Sequence, residues 1–105
     1  MRVVMNEKMT DGMHIDSDGT KQWYKGGYLH RLDGPAVEYK NGYTEWWLNG
    51  YCHRIGGPAI KGGFADKDDE TYCLYGDFYY EDEYNKWISN LPLLYWERFK
   101  RGEWI

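Results

Sequence analysis

The chain has no apolar run near the roughly 18 residues that span a bilayer, and Met1 to Thr10 lack the pattern of a signal peptide. Cysteine is scarce. Cys52 and Cys73 are the two present, too few for a disulfide framework, and no Cys/His spacing resembles a zinc site. Basic charge is also short, with 13 Lys and Arg against 17 Asp and Glu, a net −4 that disfavours general nucleic-acid binding. These absences predict a soluble, cytoplasmic protein without metal or cofactor. Its 105 residues suit one domain, residues 1–105.

Aromatics and glycine are abundant. Eleven Tyr, 6 Trp and 3 Phe make 19% of the chain, accompanied by 13 Gly. Rings with glycines favour short strands and tight turns over helices. Charge is unevenly placed. Residues 66–83 hold eight acids (Asp66, Asp68, Asp69, Glu70, Asp77, Glu81, Asp82, Glu83) against one base, Lys67, so this stretch carries −7 and the rest +3.

A repeat of 23 residues organises the chain. Residues 19–36 (GTKQWYKGGYLHRLDGPA) align with residues 42–59 (GYTEWWLNGYCHRIGGPA), and nine of 18 positions are identical at an offset of 23. The shared residues are Gly19/Gly42, Trp23/Trp46, Gly27/Gly50, Tyr28/Tyr51, His30/His53, Arg31/Arg54, Gly34/Gly57, Pro35/Pro58 and Ala36/Ala59. A partial copy precedes these from Asp11, and another follows at Tyr72-Cys73-Leu74-Tyr75-Gly76, displaced to an offset of 26.

Asn49-Gly50 between Trp46-Trp47-Leu48 and Tyr51-Cys52-His53 predicts a two-residue type I′ hairpin, whose central residues both need positive φ. That loop sets the register: Leu48 opposite Tyr51, Trp47 opposite Cys52, Trp46 opposite His53 and Glu45 opposite Arg54. In the first copy it sets Trp23 opposite His30 and Gln22 opposite Arg31. These residues carry a resemblance. The chain is similar to MORN repeat proteins, and His30-Arg31-Leu32-Asp33-Gly34-Pro35-Ala36 resembles the HR-x-DGPA variant found in small phage and bacterial proteins. The resemblance implies a mainly β fold, an antiparallel meander of hairpins over about residues 11–80, and a phage-type protein acting in the host cytoplasm. Arg31 and Arg54 stand where ordinary MORN repeats have Gly.

The period changes after residue 80. Tyr84, Trp87, Ile88 and Leu91 fall at i, i+3, i+4 and i+7, predicting an amphipathic helix over Asp82 to Asn90 with acids at its positive end. Leu93 to Ile105 reads either as a second helix from Pro92 or as an edge hairpin turning at Arg101-Gly102. Residues 81–105 are read as a helical cap on the sheet.

His30 and His53 invite a metal or catalytic reading. A residue recurring in register is more simply a part of every repeat, packed on its cross-strand Trp and bonded to a neighbouring turn. Arg31 and Arg54 suggest phosphate binding, with Gln22, Glu45 and Asp33 as local alternatives. Cys52 and Cys73 read as small buried thiols, with a disulfide left open. The acidic stretch carries the functional expectation: a non-enzymatic interaction module that binds a host protein with a basic surface, such as a nuclease, toxin or defence factor. Inhibition and shielding are both open. Its contact residues are Asp66, Asp68, Asp69, Glu70, Tyr75, Asp77, Tyr79, Tyr80, Glu81, Asp82 and Glu83, which join steering charge to aromatic contact. The alternative is a membrane-surface or phosphoinositide-binding module, then a nucleic-acid binder. An open sheet edge makes a homodimer a further expectation.

Overall fold

The computed structural model describes residues 10–63 and 69–100. Its first strands are β1 (Gly12–Ile15), β2 (Lys21–Lys25), β3 (Tyr28–Leu29), β4 (Val37–Glu38) and β5 (Thr44–Glu45). There follow β6 (Trp47–Leu48), β7 (Tyr51–Cys52), β8 (Ile60–Lys61), β9 (Glu70–Leu74) and β10 (Asp77–Tyr79). Two helices end the described chain, α1 (Glu81–Ser89) and α2 (Leu93–Lys100). The protein is mainly antiparallel β with a short helical C-terminal segment. The sheet runs β1-β2-β4-β5-β8-β9-β10, with β3 attached to β2 and β6–β7 as a separate hairpin. No helix among the described residues is long and apolar enough to cross a membrane.

Three tight turns share one conformation. Asn49 and Gly50 have φ of 50° and 81°, Gly26 and Gly27 59° and 82°, and Tyr75 and Gly76 54° and 87°. Paired left-handed residues make the type I′ turn whose twist suits flanking strands. The register of the second hairpin follows, with Trp47 opposite Cys52 and Leu48 opposite Tyr51. Tyr75 is the bulky exception at a position where Gly or Asn is ordinary.

Two predicted cross-strand pairs do not form. Glu45 lies opposite Val37 and Ile60, not Arg54, and Gln22 lies opposite His14 and Val37, not Arg31. Each repeat divides its long strand between two neighbours. The upstream half pairs within the main sheet, and at Trp23 or Trp46 the chain turns into its own hairpin. Trp23 N–H donates to the Ala36 carbonyl at 2.8 Å and Trp46 N–H to that of Ala59 at 2.6 Å, which marks the changeover in both copies.

The core is serial. Tyr24, Leu29, Ala36 and Val37 form one cluster, with Trp47 packed on it from the next repeat. Cys52, Ala59 and Cys73 form the next, beneath Trp46, Trp47 and Ile60. Ile55, Leu74, Tyr84 and Ile88 form the last, joining α1 to the sheet. Each layer is buried by its neighbour, as repeat architectures require. Both cysteines are free and buried. A hydrogen bond with Cys73, and then burial, push the Cys52 thiol well above its ordinary pKa.

The first helix begins one residue before its predicted start. Tyr80 at its N-cap offers no side-chain cap, and Glu81, Asp82 and Glu83 fill the first turn, where the helix dipole favours negative charge. Tyr84 and Ile88 are its buried residues. The segment left open by the sequence forms α2 as far as Lys100, with Trp96 Nε1 donating to the Leu91 carbonyl at 3.1 Å. The alternative hairpin turn at residues 101–102 lies outside the described residues.

Candidate functional site

Each repeated polar residue has a partner inside the scaffold. His30 Nδ1 accepts the Asn49 amide at 3.0 Å, and His53 Nδ1 accepts the Tyr75 amide at 3.0 Å. Each imidazole thus holds the first left-handed residue of the following turn. The earliest turn repeats the arrangement with a different acceptor, Gly26 N–H donating to Asp11 Oδ1 at 2.8 Å. The His53 ring stacks on Tyr75, centroids 4.5 Å apart, and Trp23 and Trp46 each receive an arginine.

Arg31 lies 3.8 Å above the Trp23 ring and Arg54 lies 4.1 Å above Trp46. Their Nη1 atoms donate to the Pro35 and Pro58 carbonyls at 3.1 and 3.0 Å. A Cβ on Gly34 or Gly57 would stand 2.9 Å from the guanidinium carbon, so glycine here is the other wall of the arginine slot. Arg31 also pairs with Asp33 and Glu38, at 3.1 and 3.0 Å. The HR-x-x-GPA signature is therefore one device: Trp below, Gly above, guanidinium between, and a Pro carbonyl at its end. Burial lowers the Arg54 pKa, yet the group stays charged, since arginine titrates far above neutrality. Among the described residues no group of three or more His, Cys, Asp or Glu side chains is placed to hold a metal ion.

The predicted contact residues do not form one patch. Glu81, Asp82 and Glu83 are exposed on the first turn of α1, beside Tyr80, which is 80% exposed. Glu70, opposite Lys61, lies near enough with Glu81 to raise the Tyr72 hydroxyl's pKa, behind the larger effect of burial. Tyr79 is half-buried opposite Tyr72. Asp69 is exposed beyond Glu70, its carbonyl accepting from Gly62 at 2.6 Å. Asp77 sits at the other end, beside the Tyr75-Gly76 turn, and the Tyr75 ring is stacked on His53. Asp66 and Asp68 lie outside the described residues.

Sequence reasoning missed Phe78, 68% exposed next to Tyr79. Strand alternation held the signal, since an inward Tyr79 puts Phe78 and Tyr80 outward together. Shallow hollows flank this ridge. One of about 370 Å³ is lined by Tyr79, Glu83, Lys86, Trp87 and Asn90, and one of about 320 Å³ by Phe78, Tyr79, Tyr80 and Glu83. Two exposed rings beside three carboxylates offer apolar contact and negative potential on one face. No family model, curated protein or solved structure matches this chain.

Proposed function

We propose that this chain is a non-enzymatic interaction module, a MORN-like meander of the HR-x-DGPA type capped by its helices. On this reading it acts in a host cytoplasm and binds a host protein with a basic surface. The contact face is the junction of β10 and α1: Phe78, Tyr80, Glu81, Asp82 and Glu83, with Glu70 and Tyr79 at its border. The supporting observation is the contrast between repeated and unrepeated residues. His30, His53, Arg31 and Arg54 are engaged inside the scaffold, while the exposed rings and acids gather where the repeat gives way to a helix. Exposed aromatics supply contact energy and the carboxylates supply steering.

The test is quantitative capture from host lysate by the purified full chain. Neutralising α1 (Glu81→Gln, Asp82→Asn, Glu83→Gln) should weaken capture of the same protein about tenfold at low salt, and less at high salt. Phe78→Ser with Tyr80→Ser should weaken it at any salt. Far-UV circular dichroism and the thermal midpoint should stay unchanged in both. Undiminished capture by both variants removes this face from the reading.

A further inference from the structure

The repeat places one pocket twice, and fills it once. At the second copy, Tyr84 enters from α1 and is 1% exposed. Its hydroxyl donates to the Arg54 carbonyl and accepts the Gly56 amide at 3.0 Å. Its ring packs with Ile55 and Leu74 and lies 4.9 Å from Tyr72. Moved back one repeat, Arg54, Ile55, Gly56, Tyr72, Leu74 and Tyr79 become Arg31, Leu32, Asp33, Trp46, Leu48 and His53. Those six residues, together with Arg54 and Ile55, line a cavity of about 260 Å³. A cavity of roughly 150 Å³ holds benzene, so a phenol ring has room.

The two sites differ in cover. Leu32 is 51% exposed where its counterpart Ile55 is 6% exposed. Among the described residues neither the Arg31 carbonyl nor the Asp33 amide makes a backbone hydrogen bond, and this pair matches the two groups that Tyr84 uses. The backbones differ at this residue, where Gly56 takes φ of 100° and Asp33 has no positive φ. Hairpin stacking is common to both sites: Arg31 N–H donates to Trp47 at 3.1 Å as Arg54 N–H donates to Cys73 at 3.2 Å.

We propose that the groove between the first two repeats receives a tyrosine from a helical segment of a partner protein, in the way the next groove receives Tyr84. The phenol would donate to the Arg31 carbonyl and accept from the Asp33 amide, with its ring between Leu32 and Trp46. An apolar residue four positions on, as Ile88 follows Tyr84, would lie toward Leu32. This surface is separate from the acidic face and stands or falls independently of it.

The test uses the full chain in two-dimensional amide NMR, titrated with a helix-stapled peptide copying residues 81–89. Saturable shifts should centre on Leu32, Asp33 and the Trp46 indole. The peptide with Phe in place of the tyrosine should bind about fivefold more weakly or worse, the cost of about 1 kcal/mol in lost hydrogen bonding. Leu32→Asp, a change at an exposed residue, should abolish the shifts, whereas Glu81→Gln with Asp82→Asn should leave them. Equal affinity for the Phe peptide overturns the proposal. So do shifts centred on Gly56 and Tyr84, which mean exchange with α1, or shifts at Phe78 and Tyr80. Concentration-dependent shifts at Leu32 in the chain alone, without peptide, assign the groove to a second copy and overturn it too.

Discussion

The ring nitrogen Nδ1 of His30 accepts the amide hydrogen of Asn49 at 3.0 Å, joining the end of one hairpin to the turn of the next. His53 does the same for Tyr75 at 3.0 Å. The second residue of each of these turns is tied to the preceding hairpin as well, Gly50 N–H to Leu29 at 2.9 Å and Gly76 N–H to Cys52 at 2.8 Å. The histidines are thus couplings between repeats, and their chemistry is that of a neutral acceptor.

His30→Ala should cost about 1–3 kcal/mol, because it strands a turn amide and opens a space beside it. Urea unfolding followed by tryptophan fluorescence measures this directly. A loss under about 0.5 kcal/mol, the range of ordinary surface substitutions, means the coupling is not a structural one.

The same bond sets a pH dependence. Burial, and then the charge of Lys25, hold His30 below its ordinary pKa of 6.5. The folded state favours neutral imidazole, so the unfolded state binds more protons as the pH falls. The contribution is complete above about pH 6.5 and is lost as pH drops through the lower folded-state value. His30→Gln should therefore flatten the fall in stability between about pH 7 and 5 relative to the parent chain. A steeper fall in the variant contradicts the assignment.

Gly57→Ala should cost about 1–2 kcal/mol, since its Cβ would stand 2.9 Å from the Arg54 guanidinium carbon and force that group off Trp46. Gly57 has no positive φ, so the penalty is steric. In an Arg54→Met background most of it should vanish, giving a coupling of about 1 kcal/mol in a double-mutant cycle. Additive losses would mean that the slot is not what requires glycine.

Tyr84→Phe should destabilise the chain by about 1–3 kcal/mol, because one hydroxyl serves both the Arg54 carbonyl and the Gly56 amide inside a buried contact. Thermal unfolding by near-UV circular dichroism reads the change. An unaltered midpoint would show that the ring alone anchors α1.

The exposed ridge and the empty groove illustrate what was legible beforehand. Alternation along β10 was available in the sequence and points Phe78 outward with Tyr80. The groove was not available, because it needs Leu32, Trp46 and His53 brought together from two repeats. Tyr75 shows the reverse case. Its place in the acidic stretch suggested surface contact, but the type I′ turn carries its ring onto His53.

The 23-residue offset, the turns and the register next to each loop follow from spacing, because a two-residue loop with two left-handed positions admits one pairing of its flanks. The first helix is likewise legible in a 3.6-residue apolar period. Where the arginines go became visible in the folded chain alone. Both predicted partners, Gln22 and Glu45, are taken up by the main sheet, so each guanidinium folds onto its own tryptophan beneath a glycine. Pairing on a strand is local and follows from spacing. A slot built from a ring, a glycine and a carbonyl depends on where the chain turns back, which no spacing along the chain specifies.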